Sequence, residues 1–155
     1  MIANNWDEAK KQVDDWKLSG QKIVFTNGCF DILHRGHVEY LTEAKACGDK
    51  LVTALNSDTS VRGLKGEARP IQSQEDRAVI LDALESVDLV VIFDQETPAK
   101  IIKSLLPDVL TKGGDYSAET IVGADTVTEN GGEIKVIPFR PGQSTSSIVE
   151  KIIKL

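Results

Sequence analysis

Five short runs rich in β-branched and apolar residues, at 22–26, 51–55, 87–93, 109–111 and 134–137, alternate along the chain with stretches whose apolar residues recur at helical spacing. Alternation of this kind leaves few folds open. Strands separated by a helix run parallel, and a parallel sheet buries both faces under its helices. The expected fold is α/β, a Rossmann-like doubly wound parallel five-stranded sheet with helices on both faces. The run at 87–93 is nearly continuous in apolar residues, as a strand covered on both sides requires. Ligands on such sheets bind beyond the carboxyl ends of the strands, at the point where strand order reverses.

The helical stretches carry their own start and stop signals. Trp6, Ala9, Val13 and Trp16 share a helical face, with Asp7 and Glu8 in the first turn and Gly20 as a stop. Residues 5–18 therefore read as a helix, and the two tryptophans as core packing rather than as a base-stacking pair. Val38, Leu41 and Ala44 predict a helix over 37–47, closed by Gly48. Residues 57–72, with Gly63, Gly66 and Pro70, read as a loop. Ser73 followed by Asp76 starts a helix through Leu84, Thr97 and Pro98 cap one that Pro107 ends, and a short helix is expected at 121–128. The last begins near Ser144 and sets Ile148, Val149, Ile152 and Ile153 on one face. At 155 residues the chain suits one domain spanning 1–155, with residues 1–20 as a helix packed on it.

A net charge of −6 argues against nucleic acid or membrane as a partner, because an extended basic face holds both. No leader is visible at the start of the chain, so the expected compartment is the cytoplasm, where Cys29 and Cys47 stay reduced. A small anion needs only local cations, and Arg62, Lys65, Arg69 and Arg77 lie within sixteen positions of one another. The rival reading of that segment is a solvated face.

One stretch carries the chemistry. Residues 25–37, Phe-Thr-Asn-Gly-Cys-Phe-Asp-Ile-Leu-His-Arg-Gly-His, leave a strand, pass a glycine turn and place both histidines of the chain three residues apart where a helix begins. That spacing sets His34 and His37 on one side of the helix, and Gly36 leaves room for a ligand to reach the backbone. Unpaired N–H groups and the positive end of the helix dipole favour an anion there, so phosphate binding is preferred over a metal site, which lacks a third Cys or His ligand.

His34-Arg35-Gly36-His37 after a strand resembles the HxGH signature of the nucleotidyltransferase superfamily. The ordered set of residues 28–34, Asn56-Ser57-Asp58, Leu64-Lys65-Gly66 with Arg69-Pro70, residues 112–116 and Ser144-Thr145 is similar to the adenylyltransferases that form ADP-heptose from heptose 1-phosphate for the lipopolysaccharide inner core. The resemblance runs from Lys22 to the end. It implies transfer of AMP from ATP, with Mg²⁺, to a sugar 1-phosphate, a separate heptose kinase in the pathway, and room for a homo-oligomer. It implies catalytic roles for His34, His37 and Lys65. Nucleotide contacts are implied for Thr26, Asn27, Gly28, Cys29, Phe30, Gly36, Asn56, Asp58, Arg69, Lys112, Gly114, Asp115, Ser144, Thr145 and Ser146. Arg77 stands as a further phosphate contact or a surface helix residue, and Cys29 also reads as a small thiol packed under the turn. Three alternatives stay open: a cytidylyltransferase acting on glycerol 3-phosphate or another small phosphate, a nucleotide-binding regulator without turnover, and a metal-binding module.

Overall fold

The computed structural model describes every residue except Asp115, Tyr116, Arg140 and Gln143. Its elements run α1 (Trp6–Leu18), β1 (Ile23–Gly28), α2 (Arg35–Lys45), β2 (Lys50–Asn56), α3 (Asp58–Lys65), α4 (Gln74–Asp82), β3 (Leu89–Phe93), α5 (Ala99–Leu105), β4 (Val109–Gly113), α6 (Ala124–Glu129), β5 (Glu133–Ile137) and α7 (Thr145–Ile153). The strands form one sheet in the order β3-β2-β1-β4-β5, with every pairing parallel. The doubly wound expectation therefore holds, and β1 and β4 mark the reversal.

Alternate residues of each strand feed two separate cores, since successive side chains leave a strand on opposite faces. Ile23, Phe25, Val52, Ala54, Val91 and Leu110 pack with α1, α5 and α6, and Trp6 and Trp16 lie against that cluster. Val24, Leu51, Leu55, Val90 and Val109 pack instead with Leu41 and Ala44 of α2 and Leu81 of α4. Fully burying a side chain of this size contributes roughly 1.5 to 3 kcal/mol, so neither layer is dispensable. Beyond the helix expected at 5–18, Ile2 forms a bridge with Val90 that extends the β3 edge.

Four expectations about elements need correction. Residues 58–65 form α3 rather than loop: Ser57 Oγ accepts from the Ser60 amide at 3.1 Å, and Ser60 and Val61 are buried. The signal was hidden because Gly63 sits within the helix and Gly66, with φ 93°, ends it. Helix α2 starts at Arg35, since His34 takes the N-cap position in extended backbone. Helix α6 is shifted to Ala124–Glu129 behind a 3₁₀ turn at Ala118–Thr120. Finally, Pro98 and not Thr97 takes the N-cap position of α5; α7 forms where expected, with Ile152 58% and Ile153 78% exposed.

The seam at the reversal is short. Strands β1 and β2 pair from Ile23↔Lys50 to Gly28↔Leu55, whereas β1 and β4 pair only at Val24↔Val109 and Phe25↔Leu110. Beyond Phe25 the two strands part, and hydroxyls take over from the ladder. Thr111 Oγ1 donates to the Phe25 carbonyl at 3.2 Å, and Tyr40 Oη lies 3.2 Å from Thr111 Oγ1 and 2.7 Å from Thr26 Oγ1. The last link fixes the direction of the chain: Thr26 donates to Tyr40, and Tyr40 to Thr111.

Candidate active site

Where β1 and β4 diverge, a cavity of about 190 Å³ opens, lined by residues 27–31, by His37 and Tyr40 of α2, by Lys65, and by Lys112, Gly113, Phe139 and Thr145. Six separate segments thus converge on one place. His37 faces it directly. Its ring stacks on that of His34, with centroids 3.8 Å apart and planes at 23°, and meets the edge of Phe30 at 5.2 Å. Burial, reinforced by the neighbouring His34 and Lys65, pulls the His37 pKa down to about 4, and burial lowers that of His34. Both imidazoles are therefore neutral near pH 7, each with one N–H to donate and no net charge. Nδ1 of each is buried without a hydrogen-bond partner.

The turn between β1 and α2 is tight. A Cβ on Gly28 would lie 2.9 Å from the Phe30 ring, so only glycine fits, and Phe30 itself adopts a left-handed backbone with φ 45°. Asp31, 1% exposed, anchors this turn to the segment that follows α3. Its Oδ1 accepts the amides of Ile71 (2.8 Å) and Gln72 (3.0 Å), and Oδ2 accepts Arg69 Nε at 2.6 Å. Burial alone would raise the Asp31 pKa, but the Gln72 and Ile71 amides and the Arg69 guanidinium outweigh it and hold the carboxyl below the usual range.

Arg77 is the second anchor and the main correction to the expected site. It is fully buried, neither a phosphate contact nor a surface residue. Its Nη1 donates to the carbonyls of Cys29 (2.7 Å) and Asn56 (2.9 Å), Nε to that of Gln72 (3.1 Å), and Nη2 to Asp58 Oδ1 at 2.8 Å. One side chain thus ties together the ends of β1 and β2 and the starts of α3 and α4.

The remaining expected residues divide cleanly. Asn27, Gly28, Cys29, Phe30, His37, Lys65, Lys112 and Thr145 line the cavity. Thr26 does not, because strand parity turns its side chain into the hydroxyl chain beneath the floor. Asn56 is buried, donating to Ser60 Oγ at 2.9 Å, and Asp58 is committed to Arg77, so both brace the site from below. Arg69 lies outside the cavity lining, its Nε held by Asp31 and its buried Nη2 without a hydrogen-bond partner. Gly114 turns away with φ 107°, its amide donating to the Ile137 carbonyl, and its neighbour Gly113 takes the expected place. Ser144 caps α7 by accepting from the Ser147 amide, and Ser146 is exposed, which leaves Thr145 as the hydroxyl at the cavity. Gly36 lines an adjoining groove. Asp115 lies outside the described residues.

Asp31, Tyr40 and Phe139 were missed as site residues. Asp31 could have been found as the lone carboxylate inside the glycine turn, and Tyr40 as the residue one helical turn beyond His37. Nothing marked Phe139. The cavity's electrostatics follow from the set: burial lowers the Lys112 pKa, and burial raises that of the Cys29 thiol against the opposing pull of Lys65 and Arg77. Among the described residues no group of three or more His, Cys, Asp or Glu side chains is placed to hold a metal ion. None of the described helices is long and apolar enough to cross a membrane.

A parallel α/β sheet with neutral imidazoles, lysines and a helix N-terminus at its reversal point defines an anion-handling, nucleotide-type site. Residues 25–151 match the Cytidylyltransferase-like family, and the chain belongs to it. It is 59% identical over 146 residues to Bifunctional protein HldE of Wolinella succinogenes and 52% identical over 150 residues to that of Geobacter metallireducens. These alignments cover 94% and 97% of this chain but 30% and 31% of the relatives, so the chain spans under a third of their length. Among solved structures, the lipopolysaccharide core biosynthesis protein of Thermoplasma volcanium GSS1 superposes with a TM-score of 0.63 at 29% identity, covering 78% of this chain and 98% of that one. Pantoate-beta-alanine ligase of Francisella tularensis shares the fold, with a TM-score of 0.65 at 16% identity over 100% of this chain and 78% of that one.

Proposed function

We propose that the chain is an adenylyltransferase that transfers AMP from ATP to D-glycero-β-D-manno-heptose 1-phosphate, giving ADP-heptose and pyrophosphate. The observation that carries this reading is the convergence of neutral His37 with Lys65, Lys112 and Thr145 on one cavity at the β1/β4 divergence. The similarity to the HldE proteins and to a lipopolysaccharide core biosynthesis protein supports the choice of a sugar phosphate acceptor.

In this reading a phosphate oxygen of the sugar 1-phosphate attacks the α-phosphorus of ATP in line. The bond from that phosphorus to the bridging oxygen breaks and pyrophosphate leaves, so the protein's part is positioning and electrostatics. His37 donates its N–H to charge developing on the α-phosphoryl oxygens, and stacked His34 holds that ring in place. Lys65 and Lys112 neutralise the phosphates, while Thr145, whose hydroxyl donates to the Ile32 carbonyl at 3.3 Å, sets the N-terminal end of α7 against them. Magnesium arrives with ATP as part of the substrate. Among the described residues lining the cavity Asp31 is the one carboxylate, and it is engaged by Arg69 and two amides, so the ion would take phosphate and water as ligands. The heptose phosphate would come from a kinase acting earlier.

Pyrophosphate release from MgATP and the heptose 1-phosphate tests the proposal. Release is expected with that pair. Silence there, with release from CTP and glycerol 3-phosphate, would reassign the chain as a cytidylyltransferase. Tight ATP binding without product from any acceptor would make it a regulator.

A further inference from the structure

Phe139 follows β5 and remains 63% exposed at the mouth of the site, an unusual position for an aromatic ring held in place. A Cβ at residue 113 would fall 2.5 Å from Phe139 Cε1, 2.8 Å from Cζ and 3.2 Å from Tyr40 Cε2. The ring therefore presses on the bare backbone of Gly113, tilted at 56° to Tyr40 with centroids 6.4 Å apart. Part of it is fixed against the protein and the rest is uncovered.

Tyr40 and Phe139 also border a second lobe. Beside the His37 cavity lies a groove of about 530 Å³, lined by Gly36, Val38, Glu43, Pro138 and Pro141 among others, and these two aromatics belong to both. The lobes differ in charge. Lys65 and Lys112 stand in the first, whereas the described lining of the groove contains Glu43 and Glu39, the latter paired with Arg35 Nε at 2.7 Å, and no lysine or arginine. A ligand spanning both must be polyanionic at one end. At the other it must be flat and uncharged, with an apolar face for Phe139 and N–H donors that carboxylates tolerate. A third pocket of about 170 Å³, beyond Asn27 and Lys112, is lined by Pro98, Thr120, Ile121 and Val122 and offers no aromatic surface among its described residues.

We propose that Phe139 is the platform on which the base of the nucleotide stacks, with Gly36 and Val38 of α2 forming the facing wall of its groove. The inference rests on reading the cavity as a nucleotide site. Stacking of a base on an aromatic ring depends on the π-face, so the side chain can be changed without touching the phosphate contacts.

Binding of MgATP and of inorganic tripolyphosphate, which has no base, is measured by calorimetry for the wild type, Phe139→Ala and Phe139→Trp. The alanine variant should weaken MgATP by about 5- to 100-fold and leave tripolyphosphate unchanged, with tryptophan restoring ATP affinity. Equal weakening of ATP and tripolyphosphate, or ATP affinity unaltered by Phe139→Ala, overturns the proposal. No acceptor sugar is present, so a wrong acceptor leaves this readout intact. If the nucleotide reading itself is wrong, wild-type protein fails to bind MgATP, a result distinct from a selective loss in the variant.

Discussion

Replacing Arg77 by methionine separates the architecture described above from the phosphate contact that the sequence suggested. The guanidinium makes four hydrogen bonds of 2.7 to 3.1 Å and has no exposed surface. Hydrogen bonds from a charged group contribute roughly 1.5 to 3 kcal/mol each, though not additively, and removing one partner of a buried ion pair costs roughly 3 to 5 kcal/mol. Asp58 is 27% exposed and regains water, while the Cys29, Asn56 and Gln72 carbonyls lose a donor. We expect a loss of about 4 kcal/mol, which for a domain of this size lowers Tm by roughly 8 to 16 °C. Arg77→Lys, with a single ammonium in place of the fork, should fall between the two. Urea and thermal unfolding followed by circular dichroism give both quantities. A variant that melts within 2 °C of the wild type but loses affinity for ATP would refute the argument and return Arg77 to the phosphates.

Three further outcomes test the site. His37→Ala should lower kcat by about 10² to 10³, the scale of one preorganised donor, with Tm near that of the wild type; a collapse in folding would make the histidine structural. Because the folded-state pKa of His37 is depressed to about 4, the unfolded chain binds more protons between pH 6.5 and 4. Stability must therefore fall on acidification through that window, and His37→Asn should flatten the dependence in urea titrations at stepped pH. Thr145→Ala should raise KM for ATP, whereas Ser146→Ala should not, and steady-state kinetics of the pair would expose a misassigned hydroxyl.

The strand and helix alternation was readable because burial on both faces of a parallel sheet demands apolar runs, and the histidine pair was readable because one turn of helix sets its spacing. What escaped depended on partners remote in sequence. Arg77 read as a phosphate contact or a surface helix residue, since nothing near it in the chain shows that three carbonyls, from Cys29, Asn56 and Gln72, gather around it. Arg69 likewise is engaged through Nε by a carboxylate 38 residues earlier. Thr26 stops one residue short of the cavity: it is fully buried, and the parity that buries Val24 turns its side chain toward Tyr40. Helix α3 went unseen because two glycines outweighed a single buried valine.

The brevity of the β1 to β4 pairing has one more consequence. The two strands pair there at Val24↔Val109 and Phe25↔Leu110, Asp108 adds bonds to Ile23 at the start of the seam, and side-chain hydroxyls bridge the gap beyond Phe25. The shortest strand pairing of the sheet thus runs directly beneath the candidate site, like the spine of a book under an open page. Gentle heating should spread that spine before it disrupts either half, so turnover should fade at temperatures where the far-ultraviolet spectrum is still that of the native protein.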